Sequence, residues 1–138
     1  MSRKRIKPHP QKKGKKINLH VSESRSYDQY EPYFSLTHIQ KTFSLSNCEK
    51  AEKAAFSDTL HKLSQKTWSE IKSLPRHGAG FEKINRESIK ASVPSHIQND
   101  VIFISFRFYG KAPMVGYRSQ RIFHILWIDR NFKLYDHS

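Results

Sequence analysis

Apolar and polar residues alternate over Val101–Phe108, which predicts a strand with Ile102, Ile104, Phe106 and Phe108 on one face and Phe103, Ser105 and Arg107 on the other. Ile122–Asp129 predicts a second strand, with His124, Leu126 and Ile128 on one face and Phe123, Ile125 and Trp127 on the other. Met114–Tyr117 predicts a strand between them, after a turn at Tyr109–Pro113 that contains Gly110. Ser119–Arg121 is a tight connection, Arg130–Asn131 a turn, and Lys133–His137 is expected to form a last strand. Connections this short between consecutive strands imply an antiparallel meander.

Upstream the period changes. Ala55, Phe56, Leu60 and Leu63 recur at helical spacing, as do Trp68, Ile71 and Leu74 before Pro75. Ser46 with Glu49, and Thr67 with Glu70, have the spacing of capping boxes. These features predict a helical hairpin, or one long bent helix. Phe34–Ile39 alternates as an early strand, Arg76–Gly80 reads as a loop, and Ser88–Val93 as a short strand ended by Pro94. The expected fold is α+β: an antiparallel sheet, made of the C-terminal meander and the early strand, packed against a two-helix hairpin.

Residues 1–33 differ in character and are expected to form a disordered basic arm, with the single folded domain at 34–138. Arg3, Lys4, Arg5, Lys7, Lys12, Lys13, Lys15 and Lys16 precede the first acidic residue, Glu23, while Pro8, Pro10 and Gly14 interrupt any helix. Such a segment buries too little surface to offset its ordering entropy. Ile17–Val21 could add a short edge strand, and Ser22–Tyr33 reads as linker.

The charge narrows the partners. Twenty-five Lys and Arg against 12 Asp and Glu give a formal net charge of +13 over 138 residues. Phosphate backbones are the commonest reason for such an excess, because each neutralised phosphate releases counterions. An acidic protein is the next candidate and an anionic membrane surface the third. No apolar run approaches the ~20 residues of a membrane span. The charged N-terminus has no apolar stretch after it, so a secretory signal is not expected and the cytoplasm is the default location. Cys48 is the single cysteine, which excludes an intrachain disulfide and a multi-cysteine zinc site.

Familiar enzyme fingerprints are absent: Gly78-Ala79-Gly80 lacks the Lys and Ser/Thr of a phosphate loop, and there is no HExxH or GxSxG. The acidic residues are scattered, which disfavours a two-metal nuclease. Neither a metal nor a cofactor is called for. The C-terminal half instead carries Arg107, Tyr117, Arg118, Arg121, His124, Arg130, Tyr135 and His137. That set suits metal-independent RNA cleavage. A 2′-OH must lose a proton and a 5′-oxygen must gain one, tasks for His or for Tyr beside Arg. Arginines stabilise the charge of the phosphorane, and tyrosines stack on splayed bases.

The element order, Val115-Gly116-Tyr117-Arg118 and Leu134-Tyr135-Asp136-His137 resemble the RelE/YoeB/HigB superfamily of toxin endoribonucleases. The first motif is similar to the family's G-x-R-I/L-x-Y sheet region, the second to its terminal His and Tyr segment. Leu63–Leu74, with Trp68, falls where the family's second helix precedes the sheet. The chain departs from the family in its long basic arm and in lacking the H-R-x-x-Y order. The resemblance implies cleavage of mRNA, often on the ribosome, and neutralisation by a cognate, acidic antitoxin. It places Arg107 and Arg118 on the scissile phosphate, His137 as general acid or base, Tyr135 beside it, and Glu82 as a lesser carboxylate base. Arg3, Lys4, Arg5, Lys12, Lys13, Lys15, Lys16, Tyr117 and Arg121 are then the expected RNA contacts.

Each residue also has a plainer reading. Arg107 and Arg118 could line a solvated sheet face, and His124, Trp68 and Trp127 read as core. His137 could fray beside the C-terminus, and Asp129-Arg130-Asn131 reads as a turn. Cys48 reads as packing, and His61 and His77 as surface. Two other functions stand beside the nuclease: a non-catalytic module that binds RNA or a ribosome, and a basic interaction module for an acidic partner.

Overall fold

The computed structural model describes residues 27–137. The expected arm contacts from Arg3 to Lys16, and the possible strand at Ile17–Val21, lie outside the described residues. The described residues form an α+β fold: β1 (Tyr33–Ser35), α1 (Lys50–Ser64), α2 (Trp68–Lys72), β2 (Phe81–Ile84), β3 (Phe103–Tyr109), β4 (Ala112–Ser119) and β5 (Ile122–Ile128). One sheet runs in the order β1-β5-β4-β3-β2. The meander β2 to β5 is antiparallel, but β1 pairs parallel to β5, so the sheet is mixed and not the antiparallel sheet expected. The parallel pairing follows from the route of the chain. It leaves β1, passes through both helices, and returns to the far edge of the sheet at β2.

Phe56 and Leu63 of α1, and Trp68 and Ile71 of α2, are buried against one face of the sheet, on Ile104, Phe106, Phe108, Phe123 and Ile125. Thr67 and Glu70 close the capping box of α2 as the sequence predicts. The box of α1 is Glu49 with Glu52 instead of Ser46 with Glu49, because residues 45–47 coil into a separate tight turn. Glu52 also accepts from Arg130 Nε at 2.7 Å, tying the start of α1 to the end of β5.

The other face carries a second apolar cluster: Ile84, Ile97, Phe103, Val115, Leu126, Trp127, Leu134 and Tyr135. Two segments read as strands cover it, and neither is one. Ser88–Val93 follows a helical turn at Arg86–Ser88 and then runs irregularly. Lys133–His137 is held by Asp129, whose buried carboxylate accepts the backbone N–H of Lys133 at 2.8 Å and of Leu134 at 3.0 Å. Those two bonds replace a strand partner. The covering segments are tied together by Lys90 N–H donating to the Leu134 carbonyl.

The strict alternation expected of β5 breaks at a bulge. Val115 lies opposite Trp127 and Gly116 opposite Ile125, so Leu126 has no partner of its own in β4. Leu126 and Trp127 therefore both face the second cluster, and Ile128 faces the helices with Phe123 and Ile125. Gly116 permits this: a Cβ there would stand 1.9 Å from the His124 carbonyl oxygen. The chain also resumes its strand at Ala112, inside the span read as a turn.

Tyr27–Tyr33 is not linker. Ser69 N–H donates to the Asp28 carbonyl and Trp68 N–H to the Tyr30 carbonyl, which fastens this segment to the start of α2.

Candidate functional site

The helix-free face ends, at the β2–β3 edge, in a cleft of ≈ 530 Å³. Ser105 and Arg107 of β3, Glu82 of β2, the loop residues Arg76 and His77, Lys111 from the β3–β4 turn, and Phe132, Tyr135 and His137 all line it. Alternation along β3 puts Ser105 and Arg107 on this face, and Arg107 donates from Nη1 to the His77 carbonyl at 3.4 Å. Four basic side chains, Arg76, His77, Arg107 and Lys111, thus meet His137 across one opening. Glu82 stands 3.5 Å from Arg76.

Three groups stand around His137. Its Nε2 lies 3.6 Å from Oδ2 of Asp129. Its ring stacks on Tyr135 at 4.2 Å and meets Phe132 edge-on at 5.0 Å. The carboxylate near the imidazole is the one that accepts the backbone N–H groups of Lys133 and Leu134, and it stands beyond hydrogen-bond distance of the ring. Phe132 adopts φ 58°, a left-handed conformation that costs a bulky residue roughly 1–2 kcal/mol. Strain of this kind persists only where the surroundings over-determine it, and here it lies beside the histidine.

Tyr135 lines the cleft beside His137. It is buried, and its hydroxyl stands 3.4 Å from the Ser105 hydroxyl. Burial pushes the phenol above its ordinary value, and Glu82 and Asp129 add to that, against Ser105 and Arg107. A phenol so placed is held in its protonated form, which donates to the Ser105 hydroxyl.

Arg118 does not join Arg107. It lies opposite Phe123 in β4 and so projects on the helix face. There its guanidinium stacks on Trp68 and pairs with Asp28. Arg121 is clasped between the rings of Tyr33 and Tyr30, at 3.9 and 4.6 Å. Tyr117 is half-buried and stacks on His124 at 4.7 Å. The expected set is therefore divided: Arg107, Tyr135 and His137 converge, whereas Tyr117, Arg118 and Arg121 have other partners outside the cleft. Arg76, Lys111, Phe132 and Asp129 belong to the site and were not expected there. The run Pro75-Arg76-His77-Gly78 places two basic side chains at a turn, the one local signal for them. Nothing in the residue pattern marks Phe132.

Cys48 is buried and its thiol is pushed up by burial, which suits packing. Among the described residues no group of three or more His, Cys, Asp or Glu could hold a metal ion. No helix among them is long and apolar enough to cross a membrane. Comparisons with protein-family models, with curated proteins and with solved structures find no match for this chain.

Proposed function

We propose that this chain is a metal-independent endoribonuclease that cleaves mRNA, a RelE-like toxin held in check by an acidic antitoxin. The observation that carries the reading is the convergence of Arg107, Lys111, Arg76 and His77 with His137 in one cleft. The scissile phosphate sits among the cations, with Arg107 as its principal contact. The 2′-hydroxyl loses its proton and attacks phosphorus, and the bond to the 5′-oxygen breaks as that oxygen takes up a proton. The products are a 2′,3′-cyclic phosphate and a free 5′-hydroxyl. His137 and His77 are the groups that accept and return these protons. Arg107 and Lys111 neutralise the charge that grows on the phosphorane. Arg118 is left out of this set. The order of strand, two helices and antiparallel meander, and the net charge of +13, support the wider toxin reading.

The test is induced expression of the full chain and of an Arg107→Ala/His137→Ala variant in bacteria, with mRNA ends mapped. Growth arrest and new 5′-hydroxyl ends with the wild type alone support the reading. Harmless expression with intact mRNA, together with no cleavage of RNA by purified protein in EDTA, overturns it. RNA binding without cleavage points to the non-catalytic module.

A further inference from the structure

A second groove, of ≈ 510 Å³, lies on the other side of Arg107. Phe106, Leu63 and the backbone at Gly78 and Ala79 line its apolar part. Lys62, Lys66 and His61 at the end of α1 give it a basic rim, and no carboxylate is among its lining residues. Arg107 lines both this groove and the cleft. The loop between them is drawn tight by Gly78 and Gly80, which both donate to the Pro75 carbonyl at 3.0 Å. Gly80 is required there, because a Cβ would stand 2.3 Å from the Leu74 carbonyl oxygen.

We infer that this groove is a second RNA subsite, one that takes a nucleotide flanking the scissile phosphate; it rests on the nuclease reading of the cleft. A phosphate held by Arg107 has its neighbours on either side along the strand. One side is the cleft, and the other is this groove. An apolar floor with a cationic rim fits an unpaired nucleotide, whose base has an apolar face and whose phosphate is charged. Charge decides the occupant, since Lys62, Lys66 and Arg107 meet no lining carboxylate. Single-stranded RNA is a ligand class that presents both features.

Equilibrium binding of fluorescein-labelled 2′-O-methyl RNA tests the subsite without cleavage. The probes are a short single strand that fills the cleft, a longer single strand that reaches the groove, and a duplex of the longer length. The proteins are the full chain, Lys62→Ala/Lys66→Ala, Arg107→Ala, and Lys50→Ala/Lys53→Ala as a charge-matched control at the far end of the same helix. Lys62→Ala/Lys66→Ala is expected to weaken the longer strand about tenfold and to flatten its salt dependence by about 1.4 log units per log unit of salt, two phosphate contacts' worth for a single strand. The short strand and the control are expected to be unaffected. An unchanged longer strand in Lys62→Ala/Lys66→Ala, with Arg107→Ala weakened, overturns the subsite and leaves the cleft standing. No RNA binding by the wild type overturns both. Equal loss for the duplex, or equal displacement by poly-glutamate, also overturns the subsite, since either shows a general anionic surface.

Discussion

The guanidinium of Arg118 lies 4.4 Å from the centre of the Trp68 ring. Asp28 completes the arrangement, its Oδ1 2.6 Å from Nη2 of the same arginine. A residue that by position in the chain looks like a phosphate ligand is thus a clamp. It fastens the segment before β1 to α2 and to the end of β4. Arg118→Ala is expected to destabilise the fold by about 1–2 kcal/mol, from one partly buried cation–π contact and one ion pair. Arg118→Lys restores part of the loss. Urea titration reads the stability, and RNA cleavage at a temperature where the variant is folded is expected to match the wild type. A large loss of cleavage in fully folded Arg118→Ala would return this arginine to the site.

The two rings at the C-terminus separate by chemistry. His137→Ala is expected to lower cleavage about 10²-fold or more, the usual share of a general acid or base. Tyr135→Phe keeps the ring that stacks on His137 and loses only a hydroxyl that burial keeps protonated. Its effect on the rate is expected to stay below about tenfold. Single-turnover rates on a labelled RNA distinguish the two, and equal losses would make the phenol a proton carrier after all.

Gly116 is where β4 admits the bulge of β5. Gly116→Ala puts a methyl group against the His124 carbonyl and is expected to cost about 3 kcal/mol, the upper end of overpacking effects. Thermal unfolding measures this. A variant as stable as the wild type would mean that the bulge can move along the strand.

His124 makes the fold sensitive to acid. Burial lowers its proton affinity below the ordinary value of 6.5, and His38 and His96 nearby lower it further. Its Nδ1 is buried without a hydrogen-bond partner, so the charged form gains an unpaired donor. The unfolded chain then binds the proton more tightly than the folded one. The stability from keeping His124 neutral is fully present above about pH 6.5 and is lost as the pH falls through the lower, folded value. Melting temperature is expected to fall from neutral pH towards pH 5, and His124→Phe to flatten that fall. The same slope in the variant would assign the effect elsewhere.

Much of this was legible in the residue pattern. β3 shows through its alternation and β5 through its apolar run, β4 is legible only over Met114–Tyr117, and α2 shows through its capping box and apolar stripe. The misses have local causes. In β2, Phe81–Ile84 is short and half charged, so it shows no period, and its pairing with β3 makes it a strand. Lys133–His137 reads as a last strand, but Asp129 satisfies its first backbone donors and ends the regular structure. The faces of Trp127 and Ile128 were reversed because a bulge changes the phase without changing the composition. At the candidate site, Arg107, Tyr135 and His137 were legible as a set. Arg118 was not separable from them, because which face of β4 it takes depends on pairing that residue types do not record.

The parallel pairing of β1 with β5 has a consequence for synthesis on the ribosome. Tyr33 finds its partner Ile122 only after every other described element has been made. Until then the core that holds Phe56, Leu63, Trp68 and Ile71 has Ile104, Phe106 and Phe108 of β3 but lacks Phe123, Ile125 and Ile128 of β5. A chain stopped before Ile122 lacks the strand that joins β1 to β4 and cannot bring Asp129 near His137. The helix-side core and the cleft are therefore both completed only by β5 and the segment after it.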